Sequence, residues 1–448
     1  MAVRQISGCS NLVTLLNGFG HCVSLSSTMA YDTALAQLSL NRSNIIPKGF
    51  VAERHVNVVY DNIDFGEEAK KQTHVTNGII IQQVTSENND DDNIETTVIK
   101  KTQRSLKMPD VTLKPYSIGV KKTAAFNIPD DIRDYGENEK TNISLKSDLA
   151  YVLVKMFHHS QESPFPGWTG FNTMLNETEI PNESRIGYLP VIDNSPTEYS
   201  TINAILESGV DIANALQLDH IVMVFDEAVY AKVQQVRWKN EMFYNKLVVR
   251  LGEFHTIMSF LSAISKLFED AGLKDILIES GIVNEGSIKG VLSGKHYNRS
   301  VFCHKIMHEA LQRLRFDAFL DSLDITEQEK IRTCVGVMAD GFPTQRYKEE
   351  LLSQEFETIC DKYDSFVAET SQKSKTFAFW SIYLKMTGIL LMFVRATRKI
   401  DWELHLSTFR QMLPWFFVCN KTNYARYGTA YWLEMTSLHE KIQARNST

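Results

Sequence analysis

The 448-residue sequence predicts an α/β fold, with a mixed β-sheet assembled from the first 255 residues and an almost wholly helical remainder. Three observations carry that expectation. Runs rich in β-branched residues occur at 55–61, 73–84, 220–230 and 245–255, a helical apolar rhythm precedes the last two, and from Thr256 onward apolar residues recur at helical spacing. Composition agrees: 43% apolar residues over this length bury one large core or two ordinary ones. A net charge of −7 argues against a uniformly basic nucleic-acid binder, so any polyanion site is regional.

The elements follow in order. Residues 11–40 read as two short helices, "NLVTLLNGFG" ending in glycines and "SSTMAYDTALAQLSL" restarting after serine caps. The pair fits a helix-turn-helix or an ordinary helical hairpin, and no basic recognition helix is visible. The abrupt start of this 1–50 segment reads as a truncated remnant of a longer protein. "HVNVVYD" at 55–61 is a strand leading into Asp61, Asn62 and Asp64, and "THVTNGIIIQQV" at 73–84 reads as a hairpin turning at Asn77-Gly78, which makes three strands. An acidic loop at 86–97 gives way to a basic stretch at 99–122. That stretch is either a solvated loop neutralised by the acidic one or a phosphate-contacting flap carrying Lys100, Lys101, Arg104, Lys107, Lys114, Lys121 and Lys122.

Residues 127–195 read as a loop-rich excursion with one helix near 146–158. After Pro196 a helix runs into "HIVMVFDEAVY" at 220–230, a buried strand carrying Asp226-Glu227, and "NKLVVRLGEFH" at 245–255 supplies one more strand. The helical part divides into an insertion at 270–372 and C-terminal helices at 373–448 that complete a core begun at 51–269. Its segment "TFAFWSIYLKMTGILLMFV", 376–394, nearly has membrane-spanning length but holds Lys385 centrally, so a buried helix is the expectation and no membrane association is expected.

Six scattered cysteines, Cys9, Cys22, Cys303, Cys334, Cys360 and Cys419, form no CxxC pair and read as reduced thiols. The N-terminus lacks an uninterrupted apolar h-region, so no signal peptide is expected and the chain is assigned to cytoplasm or nucleus.

Strand, hairpin, helix, acid-tipped strand, strand, helix is the order an RNase H-like domain requires, with the fourth strand parallel beside the first. Asp61 and Asp226 would then lie near one another and share Mg²⁺ or Mn²⁺, hard cations that take few carboxylates and leave positions for water and phosphate. Two such ions about 3.5 to 4 Å apart activate the attacking oxygen and stabilise the leaving one. The third acid is Glu403 or Glu434, with Asp401 behind them, and sequence does not choose among them. Asp64 and Glu227 are secondary candidates, as is His255 after "GEF", which otherwise simply closes a turn. Lys295, His296 and Arg299 in "GKHYNR" would add DNA contacts or form a capped turn between helices.

Other signals are weaker. No GxxxxGK[ST] accompanies "HIVMVFDE", so an ATPase is not indicated, and the acids of "VVYDNID" have the wrong spacing for a haloacid-dehalogenase-like phosphatase. His304 and His308 are four apart beside Cys303, but no partner pair completes a zinc site.

At "VYDNIDF", "HVTNGIIIQ", "LGEFHTIMSFL", "GKHYNRSV" and "WELHLSTFRQMLPWF" the sequence resembles a multicopy family of uncharacterised eukaryotic proteins associated with transposable elements. The resemblance spans nearly the whole chain. By analogy with DDE/D transposases it implies DNA cleavage and strand transfer, a helical insertion at 270–370, Asp61 and Asp226 as catalytic and metal-binding acids, DNA as partner and a nuclear location. A homo-oligomer fits the same picture. A recognisable N-terminal DNA-binding module is missing, which implies a fragment, a truncated copy or a domesticated remnant, and in the last case a binding protein without catalysis.

Overall fold

A computed structural model of the chain describes residues 10–40, 46–65, 73–84, 113–120, 122, 126, 128, 136–158, 165–175 and 183–438. The fold is α/β, with a five-stranded mixed sheet and a large helical complement. The chain divides into two compact units: residues 1–122, 182–225 and 232–250 in the first, and 123–181, 226–231 and 251–448 in the second.

The first unit holds helices α1 (Ser10–Gly18) and α2 (Leu25–Leu40), strands β1 (Asn57–Phe65), β2 (Thr73–Gln83), β3 (Ser184–Tyr188) and β4 (Ile221–Phe225), and most of β5 (Leu247–Leu251). Their order across the sheet is β3-β2-β1-β4-β5. β1 pairs antiparallel with β2, β2 antiparallel with β3, and β1 parallel with β4, with Asn57 opposite Val222 and Val59 opposite Val224. A parallel pair needs a long crossover, and the chain between β1 and β4 includes helix α5 (Tyr199–Ala215). Its Ile202, Ile205, Leu206 and Val210 are buried at helical spacing. Gly209 brings that helix close to the sheet, since a Cβ there would stand 2.5 Å from the sulfur of Met223.

Two expectations change here. Asn77-Gly78 is not a turn: β2 runs unbroken through it, and the third strand comes from residues 184–188, inside the stretch read as loops. The glycine serves packing instead. Gly78 faces Tyr60 across the β1/β2 pair, and a Cβ on it would lie 2.4 Å from the ring. β1 also continues past Asp61 to Phe65, while β4 ends five residues earlier than "HIVMVFDEAVY" implies. Alternation marks the faces, with Val58 and Tyr60 buried and Asp61 exposed.

In the second unit, α3 (Glu139–His158) and α4 (Trp168–Met174) precede α7 (Glu253–Phe268) and the short α8 (Leu273–Glu279) and α9 (Glu285–Leu292). The long α10 (Tyr297–Asp321) follows, then α11 (Ile325–Gly341), α12 (Gln345–Leu351), α13 (Gln354–Lys373), α14 (Lys375–Lys399), α15 (Trp402–Val418), a π-helical turn at Tyr424–Gly428 and α16 (Thr429–Thr436). Among the described residues α14 alone is long and apolar enough to cross a membrane, and 61% of its apolar window is buried inside the protein. It packs against α3, α7, α10, α13 and α15, which surround its apolar faces. Helix α6 (Glu227–Arg237) begins in the second unit and ends in the first.

Two further devices hold the helical unit. Asp148 and Arg395 form a buried ion pair, in which Asp148 also accepts from the Trp168 indole at 2.7 Å and Arg395 donates to Asn172 at 2.6 Å. Every charged group there is hydrogen-bonded, as burial of charge requires. His304 and His308, four apart on α10, meet Tyr383 and Thr387, four apart on α14, through Nδ1 at 2.8 and 2.7 Å. The spacing that resembled a zinc pair is a two-rung ladder between helices.

Candidate acidic site

Asp61 projects from the exposed side of β1, and its Oδ1 accepts the N–H of Asn62 at 2.8 Å. The carboxylate is therefore solvated and needs no buried partner to explain it. Asp64 lies opposite His74 in the β1/β2 register, and its side chain falls outside the described residues.

Asp226 is the first residue after β4 and the N-cap of α6. Its Oδ1 accepts the N–H of Val229 at 2.8 Å, and its carbonyl accepts that of Tyr230, also at 2.8 Å. The acid tip of this strand thus has a local role, satisfying backbone donors that the helix itself cannot.

Glu227, in the first helical turn, is more unusual. Asn423 donates to its Oε2 at 3.3 Å, whereas its Oε1 is buried and has no hydrogen-bond partner among the described residues. Burial pushes the carboxyl pKa up and the charge of Asp226 adds to this, partly offset by the Asn423 bond. The π-helical turn begins beside Asn423 and carries Tyr424, whose ring stacks on Phe416 at 4.9 Å. Burial drives the Tyr424 pKa up, a hydrogen bond with Thr256 lowers it, and the charges of Glu227 and Asp226 raise it further. Two carboxylates, an amide and a phenol thus share one region of the helical unit, with one carboxylate oxygen unsatisfied.

The acids proposed to complete the set are engaged elsewhere. Lys140 donates to both oxygens of Asp401, at 2.9 and 3.1 Å, and lies 3.4 Å from Glu403. Asp401 also caps α15 through the N–H of Leu404, and Glu403 accepts from Asn138 at 3.4 Å. Both carboxylates raise the Lys140 pKa, the hydrogen bond to Asp401 most of all. Glu434 is buried in α16. Among the described residues no three His, Cys, Asp or Glu side chains form a group able to hold a metal ion. The Asp226–Glu227 pair still fits one hard cation, because Mg²⁺ takes one or two carboxylates and fills its other positions with water and phosphate.

His255 is half-buried on the first turn of α7, its ring edge-on to Phe254 at 5.3 Å. Lys295, His296 and Arg299 are exposed around the start of α10, with His296 at the N-cap position. Lys114 and Lys122 are exposed and face Glu207 and Glu241 at 3.6 and 3.8 Å. Lys100, Lys101, Arg104, Lys107 and Lys121 lie outside the described residues. Sequence reasoning missed Asn423 and Tyr424, since "KTNYARYG" carries no motif and a π-helical turn leaves no periodicity to read. The signal for Glu227 was the Asp-Glu pair itself, which also reads as ordinary acid enrichment at a helix start.

A protein-family model described as a domain of unknown function, DUF8702, matches residues 167–448. The match includes Asp226, Glu227, Asn423 and Tyr424 and leaves out β1 and β2. No curated protein and no solved structure matches the chain.

Proposed function

For a chain that belongs to the DUF8702 family, whose description assigns no activity, we propose an RNase H-like, transposase-derived nuclease that cleaves and transfers DNA strands using Mg²⁺ or Mn²⁺. One observation carries this reading: the strand order β3-β2-β1-β4-β5, with the first three strands antiparallel and β4 parallel beside β1. This is the topology that the RNase H-like reading requires. Asp61 and Asp226 each come two residues after a member of the registered pair Val59 and Val224.

In this reading Asp61 and Asp226 are the metal-ligating acids. Glu227 is the favoured further acid, because its Oε1 has no hydrogen-bond partner among the described residues and Glu403 already shares Lys140. The cation, when bound, would polarise the phosphodiester and lower the pKa of water. Asn423 orients Glu227 through Oε2. Action on DNA makes the nucleus the favoured location.

The test is nicking of supercoiled plasmid by the full chain with Mg²⁺ or Mn²⁺. Cleavage should fall at least about 100-fold in Asp61→Asn and Asp226→Asn, the loss expected when a group that stabilises the transition state is removed. Asn at 226 keeps a cap acceptor, so folding is preserved. Full activity in both variants, or no metal-dependent cleavage by the wild type, sinks the proposal.

A second reading, a catalytically inactive DNA- or protein-binding scaffold, is favoured by the structural roles these acids already have: Asp226 caps a helix, and Asp401 and Glu403 hold Lys140. It predicts binding in EDTA that is equal for wild type and Asp226→Asn, with no cleavage when metal is added.

A further inference from the structure

The helical unit carries a surface that neither the acids nor the ion pairs explain. Phe254 is 51% exposed and lies 4.7 Å from Tyr297, ring to ring, while Phe302, one and a half turns further along α10, is 52% exposed. Phe254 and Phe302 are thus exposed near a half-buried Tyr297, whereas large apolar side chains are normally buried. Cations are interleaved with them. Arg299 is exposed one turn before Phe302, the half-buried Lys305 lies one turn after it, and Arg398 lies within electrostatic reach of both Tyr297 and Lys305.

Behind Phe302 opens a cavity of about 200 Å³, walled by Trp168, Tyr151, Ile306 and Lys305. The Lys305 ammonium stands over the Trp168 ring, 5.5 Å from its centroid. The two acids lining the cavity are neutralised within it: Asp148 by Arg395, and Glu309 by Lys155 at 2.8 Å and Arg313 at 2.6 Å. Among the described residues neither Arg299 nor Lys305 makes an ion pair with a carboxylate. The surface is therefore locally cationic on a chain of net charge −7.

We propose that Phe254, Tyr297 and Phe302, with Arg299, Lys305 and Arg398, form a binding surface for single-stranded nucleic acid. Unpaired bases stack on the exposed rings, and the cations take the phosphates between them. Such surfaces combine an electropositive track with sequence-tolerant stacking platforms. Duplex DNA offers no free base faces to these rings, so the preference is for the single strand.

The inference rests on the nucleic-acid reading above for the class of partner, but its test requires no chemistry. Fluorescence anisotropy of labelled oligothymidine of about 20 nucleotides, and of a duplex of equal length, is measured with the full chain in EDTA, so cleavage and binding are separated. The single strand should bind more tightly. Phe302→Ala should weaken binding about 5- to 100-fold, and Phe302→Tyr should restore most of it. The double change Arg299→Ala with Lys305→Gln should reduce the slope of log affinity against log salt by about 1.4, the loss of two phosphate contacts on a single strand.

Equal or tighter binding of the duplex overturns the proposal. So does wild-type affinity in both Phe302→Ala and Phe254→Ala, or no single-strand binding at low salt. A chain that binds oligothymidine but never cleaves DNA keeps this surface and loses the nuclease. One that cleaves without any response to Phe302→Ala keeps the nuclease and loses the surface.

Discussion

At the residue scale, Glu227 and Gly78 show how position changes the meaning of a side chain. A buried acceptor left without a partner costs about 1–3 kcal/mol, and Glu227 Oε1 is such a group. Because burial raises this carboxyl above its unfolded value, the folded state binds the proton more tightly. Its contribution to stability is thus present at acid pH and lost as pH rises through the folded pKa. Glu227→Gln should therefore raise the melting temperature at pH 7, with a gain that shrinks towards pH 4, as calorimetry across that range will show. An unchanged difference between the two pH values would mean that Glu227 does not titrate anomalously. Added divalent cation should stabilise the wild type more than Glu227→Gln if the pair holds metal.

Gly78 is fixed by its neighbour. Tyr60 is buried, its hydroxyl pKa is pushed up to about 12 by burial, and its ring stacks with Phe225 at 6.4 Å. Gly78→Ala drives a methyl group into that ring, and overpacking of this kind costs about 1–3 kcal/mol. A urea midpoint shift of that size is expected, and Gly78→Ala combined with Tyr60→Leu should recover part of it. Asn-Gly is the strongest short-range hairpin signal in sequence, yet here the glycine answers a cross-strand tyrosine that no local pattern contains.

At the scale of the element, the β4-to-α6 junction explains why Asp226 looked like a strand tip. Residues 221–225 alternate between buried and half-buried, and Asp226 then accepts from the first turn of a helix. Asp226→Ala removes the cap and should cost about 1 kcal/mol, whereas Asp226→Asn should cost only a few tenths. Comparing the two in denaturant separates the structural role from any catalytic one. The helix boundary at 227 was hidden because "DEAVYAKVQQV" carries valines and a tyrosine, which favour strands until tertiary contacts decide.

The same scale holds the buried ion pair of α3 and α14. Arg395→Met leaves Asp148 charged, buried and short of its donor, and removing one partner of such a pair costs about 3–5 kcal/mol. Chemical denaturation of this variant beside an Asp148→Asn, Arg395→Met double variant provides the check, with the double variant expected to be the more stable. The burial of Arg395 is decided by Asp148, 247 residues away along the chain.

At the scale of the whole molecule, acid should unfold the protein through the His304 and His308 ladder. Burial lowers both imidazole pKa values to about 4, from an ordinary 6.5. The unfolded chain therefore takes up protons first as pH falls, so the stability these rings contribute is complete above about pH 6.5 and is lost progressively towards pH 4. Thermal midpoints should drop steeply across that window. His308→Gln, which keeps a partner for Thr387, should flatten the slope, and an unaltered slope would exclude His308 as its source.

How much could be read in advance follows from what each signal depends on. Alternating or helical apolar spacing reports the local face a segment buries, so the sheet-then-helix order, the strands at β1, β4 and β5, the β character of 73–84 though not its single unbroken strand, and the burial of α14 were legible from single stretches of sequence. β3 was not, because "SRIGY" is short, polar-rich and half exposed at the edge of the sheet. The acids divide in the same way. Asp61 and Asp226 were found because each interrupts an apolar run. Asp226 caps its own helix three residues on, a local bond, whereas the unsatisfied oxygen of Glu227 beside Asn423 and the hold of Lys140 on Asp401 and Glu403 depend on chain segments far apart in sequence. Sequence alone determined the fold class and the residue types at the strand tips, because these depend on local periodicity and side-chain chemistry. Only the tertiary structure decided strand order, partners and protonation, because burial, electrostatic field and hydrogen-bond geometry exist only once distant segments meet.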